Sequence, residues 1–141
     1  MKNKFPIKKY YDFRKYYKDY FYELDNVKKK LNQKNLEKIT NFLKVHYKRK
    51  VNIFVCGNGG SAAIANHFEC DHKKILGETG KIIPKVISLC TNNSLITAIA
   101  NDLAYKDIFK KQLEYLAKKN DILITISSSG NSENIIQAIK Y

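Results

Sequence analysis

The chain has 141 residues, 44% of them hydrophobic, and a formal net charge of +13. That length suits one domain with a core of ordinary size. No apolar run approaches the ~20 residues of a membrane span, and no apolar segment of a secretory signal opens the chain, so a cytoplasmic protein with no membrane partner is expected.

Residues 1–50 carry 16 Lys and Arg against 5 Asp and Glu, whereas residues 51–141 carry 10 against 8. The positive excess therefore belongs to an N-terminal arm. Its runs Lys28-Lys29-Lys30 and Lys48-Arg49-Lys50 fall near expected helix ends, where cations are favourable. They read as solvated helix ends, and nucleic acid is not an expected partner. The first few residues read as frayed, with Pro6 disfavouring helix just before it. From about Tyr10, the residues Phe13, Tyr17, Tyr20, Leu24, Val27 and Leu31 recur at spacings of three and four. That is one face of an amphipathic helix. Its aromatic character suits docking on another helix or another subunit. Asn32 to Asn35 reads as a turn. A second helix follows with Leu36, Ile39, Phe42, Leu43 and Tyr47 inward.

At Val51 the pattern changes to a short continuous apolar run, as in a strand buried on both faces of a parallel sheet. Gly57-Asn58-Gly59-Gly60-Ser61 follows, then a helix to about Lys73. Residues 75–83 read as an exposed loop. Pro84 precedes a second strand, Val86 to Cys90. Leu95 to Ala100 reads as a short helix interrupted by Asn101-Asp102. Tyr105 to Lys119 reads as an amphipathic helix with Ile108, Phe109, Leu113 and Leu116 inward. The third strand is about Ile122 to Ile126, and the last helix opens near Ser132. Cys56, Cys70 and Cys90 form no CxxC pair, which excludes a disulfide framework or zinc finger. Cys56 and Cys90 each end an apolar run and read as reduced core residues.

Alternating strands and helices predict an α/β fold with a doubly wound parallel sheet. The expected organisation is a helical arm, residues 1–50, for oligomerisation, and an α/β part, residues 51–141. With the first strand between the second and third, two strand ends flank a topological switch point, where ligands bind.

Two polar loops would then converge on one crevice. The glycine loop lets backbone approach a ligand and opens a helix, whose N–H groups favour an anion. It is not a Walker loop, because no Lys follows the last glycine. The second loop, Ser127-Ser128-Ser129-Gly130-Asn131-Ser132, offers hydroxyls for a phosphate monoester. Each loop alone reads equally as a βα turn with an N-cap; the pair favours an anion site. His67 and Asp71, four apart, share one helix face, and that helix brings them toward the crevice. They suit a metal, an acid–base pair or a plain surface contact. Glu69 and His72 point elsewhere. Asp102 reads as a cap or as a residue reaching the crevice.

Together these motifs resemble the sugar isomerase (SIS) domain and, within it, the phosphoheptose isomerase family, over about residues 10–141. The resemblance rests on Cys56 to Ser61, His67 six residues past that serine, Asn101-Asp102 with Asp107-Ile108-Phe109, and Ile126 to Ser132. It implies a flavodoxin-like SIS fold and a homotetramer packed partly through the N-terminal helices. It implies conversion of sedoheptulose 7-phosphate to D-glycero-D-manno-heptose 7-phosphate for bacterial lipopolysaccharide or capsule synthesis. Ser127, Ser129 and Ser132 would hold the phosphate, with Ser128 in the same loop. Asn58, Gly59, Gly60, Ser61 and Asp102 would contact the sugar, and His67 would match a zinc ligand. The family's catalytic glutamate corresponds to Asp71, a base or zinc ligand one methylene shorter; a misplacement of about 1 Å can cost on the order of 100-fold in rate. The family continues with two further strands and a histidine-bearing helix, so a partial protein with little activity is expected. The alternative is a non-catalytic sugar-phosphate-binding module.

Overall fold

The structure is a computed structural model and describes residues 5, 6, 8–49, 51–80 and 85–141. The expectations of a frayed start, of Lys50 in a cationic run, of loop residues 81–83 and of Pro84 before a strand lie outside the described residues. Two compact units divide the chain, Met1–Phe42 and Leu43–Tyr141.

The first unit holds α1 (Phe13–Lys29) and the start of α2 (Gln33–Tyr47). Asp12 caps α1 by accepting the Arg14 N–H at 2.9 Å, which satisfies one of the free donors of a helix start. The Tyr10 hydroxyl donates to Asp19 Oδ2 at 2.8 Å, and Lys8 pairs with the same oxygen at 2.9 Å. The apolar face of α1 is present as a helical stripe, with Tyr17 and Phe21 rings 4.6 Å apart. Phe13, Tyr17, Leu24 and Val27 on that face all remain exposed. The inward face expected for α2 is corrected in part. Leu43 and Tyr47 pack against the core, but Leu36, Ile39 and Phe42 keep about half their surface in solvent, at 50%, 56% and 48%.

The second unit is a three-stranded parallel sheet in the order β2-β1-β3, built from β1 (Asn52–Gly57), β2 (Lys85–Ser88) and β3 (Ile122–Ile126). This is the strand order that a switch point between the two loops requires. Ile53, Phe54, Val55 and Cys56 are all buried, as a central strand covered on both faces demands. Phe109, Ile108 and Leu113 from α5 (Ile108–Leu116), Ile99 from α4 (Asn93–Asp102) and Ile135 from α6 (Glu133–Lys140) complete the core. Cys56 and Cys90 are buried and free. Burial, with Cys90 nearby, pushes the Cys56 thiol up to about 12.

Three boundaries differ from expectation. The helix α3 (Gly60–Asp71) does not end near Lys73; it runs into a π turn, His72–Leu76, and stays helical to Glu78. The His72 ring sits between the Tyr47 hydroxyl, 2.7 Å from Nε2, and the Phe68 carbonyl, 2.8 Å from Nδ1, which ties the widened turn to α2. Asn101-Asp102 do not interrupt α4. The helix, capped by Asn92 accepting the Leu95 N–H at 3.0 Å, includes both residues, and the Leu103 N–H still reaches the Ile99 carbonyl at 3.0 Å. Finally, Leu116 is not inward. Tyr105–Asp107 is a 3-10 turn and α5 stops at Leu116, where the chain turns extended at Ala117 and leaves Leu116 45% exposed.

Candidate functional site: a crevice between two loops

The glycine loop is shaped by close approach. A side chain at position 57 would lie 2.7 Å from the Ser61 Cβ and 2.8 Å from the Ser61 carbonyl, so β1 can turn into α3 only through glycine there. Gly59 takes φ 55°, in the left-handed region glycine favours. The Ser61 and Ala62 N–H groups then bond back to Asn58 and Gly59 carbonyls at 3.0 Å. Gly59 and Gly60 are exposed and Ser61 half-buried, so the loop backbone is open to a ligand.

The serine loop leaves β3 at Ile126, the residue in register with Gly57 of β1. Its hydroxyl oxygens are used as acceptors: Ser127 Oγ takes the Gly130 N–H at 3.1 Å and Ser129 Oγ takes the Asn131 N–H at 3.2 Å. A hydroxyl that accepts from backbone keeps its own hydrogen to donate. Ser127 turns that hydrogen toward Ser132 Oγ at a long 3.5 Å, whereas Ser128 and Ser129 face solvent. Ser132 precedes the first turn of α6, where N–H groups lack intrahelical acceptors.

The two loops meet in a cavity of about 450 Å³ lined by Asn58, Tyr105, Lys106, Ser132, Glu133 and Asn134. One cation and one carboxylate, Lys106 and Glu133, share its wall. Residue patterning marked Asn58 and Ser132 here. It missed Tyr105, Lys106, Glu133 and Asn134, which carry no local motif and enter only through the tertiary fold.

His67 and Asp71 are placed elsewhere, a correction to the expectation that α3 carries them to this crevice. They line a second cavity of about 510 Å³ with Ala63, Ile64 and Phe68, and the two cavities share no residue. At about 100° per residue, both project away from the face on which Ala65 is buried. His67 Nε2 lies 3.5 Å from Asp71 Oδ2, both well exposed. Cys70 joins them: the three offer nitrogen, sulfur and oxygen atoms all within 4.8 Å of one another. That donor set fits zinc, with positions left for water or substrate. Glu69 points elsewhere, as expected: its Oε2 accepts the Ser88 N–H at 2.7 Å and its Oε1 binds Lys73. Asp102 is exposed at the end of α4, accepts from Asn101 Nδ2 at 2.8 Å and does not line the crevice cavity.

The crevice lies at the carboxyl ends of parallel strands, between a glycine loop and a serine loop. Residues 15–141 match the SIS domain. The chain belongs to the SIS-domain family. Its relatives within the family include the phosphoheptose isomerase of Aliarcobacter butzleri, 44% identical over 108 residues, covering 77% of this chain and 57% of the relative. That of Clostridium acetobutylicum is 45% identical over 94 residues, covering 67% and 47%. This SIS chain thus spans about half the length of the curated relatives it matches. The structure of phosphoheptose isomerase GmhA from Neisseria gonorrhoeae superposes with a TM-score of 0.77 at 30% identity, covering 92% of this chain and 68% of that one. A phosphoheptose isomerase structure from Francisella tularensis gives 0.62 at 28% identity, covering 75% and 68%. No helix among the described residues is long and apolar enough to cross a membrane.

Proposed function

We propose that the crevice binds the phosphate end of a phosphorylated sugar, and that the chain serves the isomerisation of sedoheptulose 7-phosphate to D-glycero-D-manno-heptose 7-phosphate. The reading is carried by one observation: a glycine loop and a serine loop close one cavity, with Asn58 and Ser132 both in its wall. Hydroxyls of Ser127, Ser128, Ser129 and Ser132, with the α6 N-terminus, hold the phosphate. Ser61 and the backbone of Gly59 and Gly60 face the sugar body, and Asp102 is a sugar contact by family resemblance alone. Isomerisation moves a proton between C1 and C2 through an enediol, which needs a base and a partner for the oxyanion. By family resemblance the base would be Asp71, which lines the other cavity, whereas Glu133 is the carboxylate in the crevice wall. His67, Asp71 and Cys70 would hold zinc, which when bound supplies a Lewis acid to a carbonyl oxygen. The exposed aromatic face of α1 supports a homo-oligomer, a tetramer by family resemblance, and the product would serve bacterial surface-polysaccharide synthesis.

The separation of Asp71 from the crevice favours a second reading, a sugar-phosphate-binding module without catalysis. Incubating the chain with sedoheptulose 7-phosphate and following the aldose product by NMR separates the two. Turnover that Asp71→Asn abolishes supports the isomerase. Saturable binding with no product supports the module, and neither binding nor turnover contradicts both.

A further inference from the structure

Asn58 and Asn134, 76 residues apart, exchange two side-chain hydrogen bonds. Asn58 Nδ2 donates to Asn134 Oδ1 and Asn134 Nδ2 donates to Asn58 Oδ1, each at 2.8 Å. The Tyr105 hydroxyl donates a third bond to Asn58 Oδ1 at 3.1 Å. Asn134 is only 2% exposed, and its Oδ1 also accepts the Ile135 N–H at 3.0 Å. We infer that Asn134 and Tyr105 are positioning residues that clamp the glycine loop to the serine loop and so preset the crevice for a phosphorylated sugar. The sugar-phosphate part of this inference rests on the proposed binding function.

The sheet stops short of the two loops. The β1–β3 register runs from Ile53↔Ile122 to Gly57↔Ile126. Beyond that pair no backbone ladder sets the distance between the loops. The reciprocal amide pair lies one residue past Gly57 on one side and two past Ser132 on the other, where it takes over that task. Together with the Tyr105 bond it occupies both lone-pair directions of Asn58 Oδ1 and leaves one Nδ2 hydrogen for a ligand. Fixing the loops before binding lowers the ordering cost that a ligand otherwise bears. The pair is also chemically specific. A carboxylate at position 134 accepts but cannot donate, and sets its second oxygen against Asn58 Oδ1. At the first turn of a helix, however, an added carboxylate is itself favourable. Asn134→Asp therefore breaks the clamp, while the helix start offsets part of the cost of burying its charge.

The test uses the 141-residue chain, its Asn134→Asp and Tyr105→Phe variants, and sedoheptulose 7-phosphate as probe. Affinity is read by calorimetry, loop opening by amide hydrogen exchange, and stability by thermal melting. Asn134→Asp is expected to weaken binding about tenfold or more, because unmade buried bonds are costly, and Tyr105→Phe about threefold, its bond being exposed. Exchange should quicken at residues 58–61 and 127–132 and stay unchanged at Ile53, Phe54 and Val55. Affinities equal to the parent's, with or without a lower melting temperature or faster exchange, make the pair merely structural and overturn the inference. A parent chain that binds no sugar phosphate removes the binding function, and exchange then decides the clamp alone. Loops that exchange about tenfold faster in Asn134→Asp support it, and unchanged loops refute it. Should Asn134→Asp unfold, Tyr105→Phe decides the matter by the same readings.

Discussion

The crevice and the outer face of α3 both display candidate chemistry, but they are built differently. In the crevice Asn58, Tyr105, Asn134, Ser127 and Ser129 already have protein partners. Asn58 is held from two sides, and Ser127 and Ser129 each accept a backbone N–H. On α3, His67, Cys70 and Asp71 stand on one helix with a single long contact between imidazole and carboxylate. The first arrangement is set by folding. The second acquires its geometry only from what binds it. Under the proposed function, recognition would belong to the crevice, and chemistry at α3 would call for an added group or partner surface.

The largest effect that would sharpen this contrast is expected in the serine loop. Replacing Ser127 and Ser129 together by alanine should weaken sedoheptulose 7-phosphate binding more than about 100-fold, since hydrogen bonds to a charged group contribute about 1.5–3 kcal/mol each. Asp71→Asn should leave that affinity within about twofold, as an exposed group outside the crevice contributes little to it. Calorimetry on both variants checks the pair; equal losses would erase the distinction between the two regions. Gly57→Ala comes next. Its methyl meets Ser61 at 2.7 Å, and overpacking of this kind costs about 1–3 kcal/mol, to be read as a lowered denaturation midpoint.

The α3 face can be examined without any activity. Cys70 is exposed whereas Cys56 is buried with its thiol pushed up to about 12. Alkylation at pH 8 should label Cys70 in the folded chain and reach Cys56 only on unfolding. Added zinc should slow Cys70 labelling severalfold. Labelling at an unchanged rate would remove Cys70 from the metal set.

The smallest effect concerns the far end of the sheet. Burial alone would raise the Asp121 carboxyl, but bonds from the Asn52 side-chain amide, the Lys118 N–H and the Asn52 N–H outweigh it and hold the group below its ordinary 3.8. A depressed folded value contributes stability that is present above the ordinary value and is lost as pH falls below it. Asp121→Asn should cost about 1 kcal/mol at neutral pH and flatten the decline below pH 4, as read from melts at several pH values.

Much of the fold was legible because its signals are local. Ile53 to Cys56 is a continuous apolar run, and a glycine-rich turn after it announces a helix. Strand order is not local: the place of β1 between its neighbours enters the sequence reading as a supposition, and the β1 pairings with β2 and β3 supply it. Helix boundaries were less legible where a polar pair and the local backbone ladder disagree. Asn101-Asp102 looked like a break, yet the ladder from Ile99 to Leu103 carries the helix through. The site divided in the same way. Ser127 to Ser132 were visible as a run, but Tyr105 and Asn134 matter only because the sheet brings them to Asn58. His67 and Asp71 were rightly placed on one face of a helix. Which way that face turns depends on the burial of Ala65, and spacing alone does not reveal it.

The central claim is that the crevice between the two loops receives a phosphorylated sugar. Its most direct test is a ¹H–¹⁵N NMR titration of the chain with sedoheptulose 7-phosphate and, separately, with unphosphorylated sedoheptulose. The account predicts saturable shifts at the amides of residues 58–61 and 127–132 that require the phosphate. Shifts absent from both loops, or equally large with the unphosphorylated sugar, would contradict it.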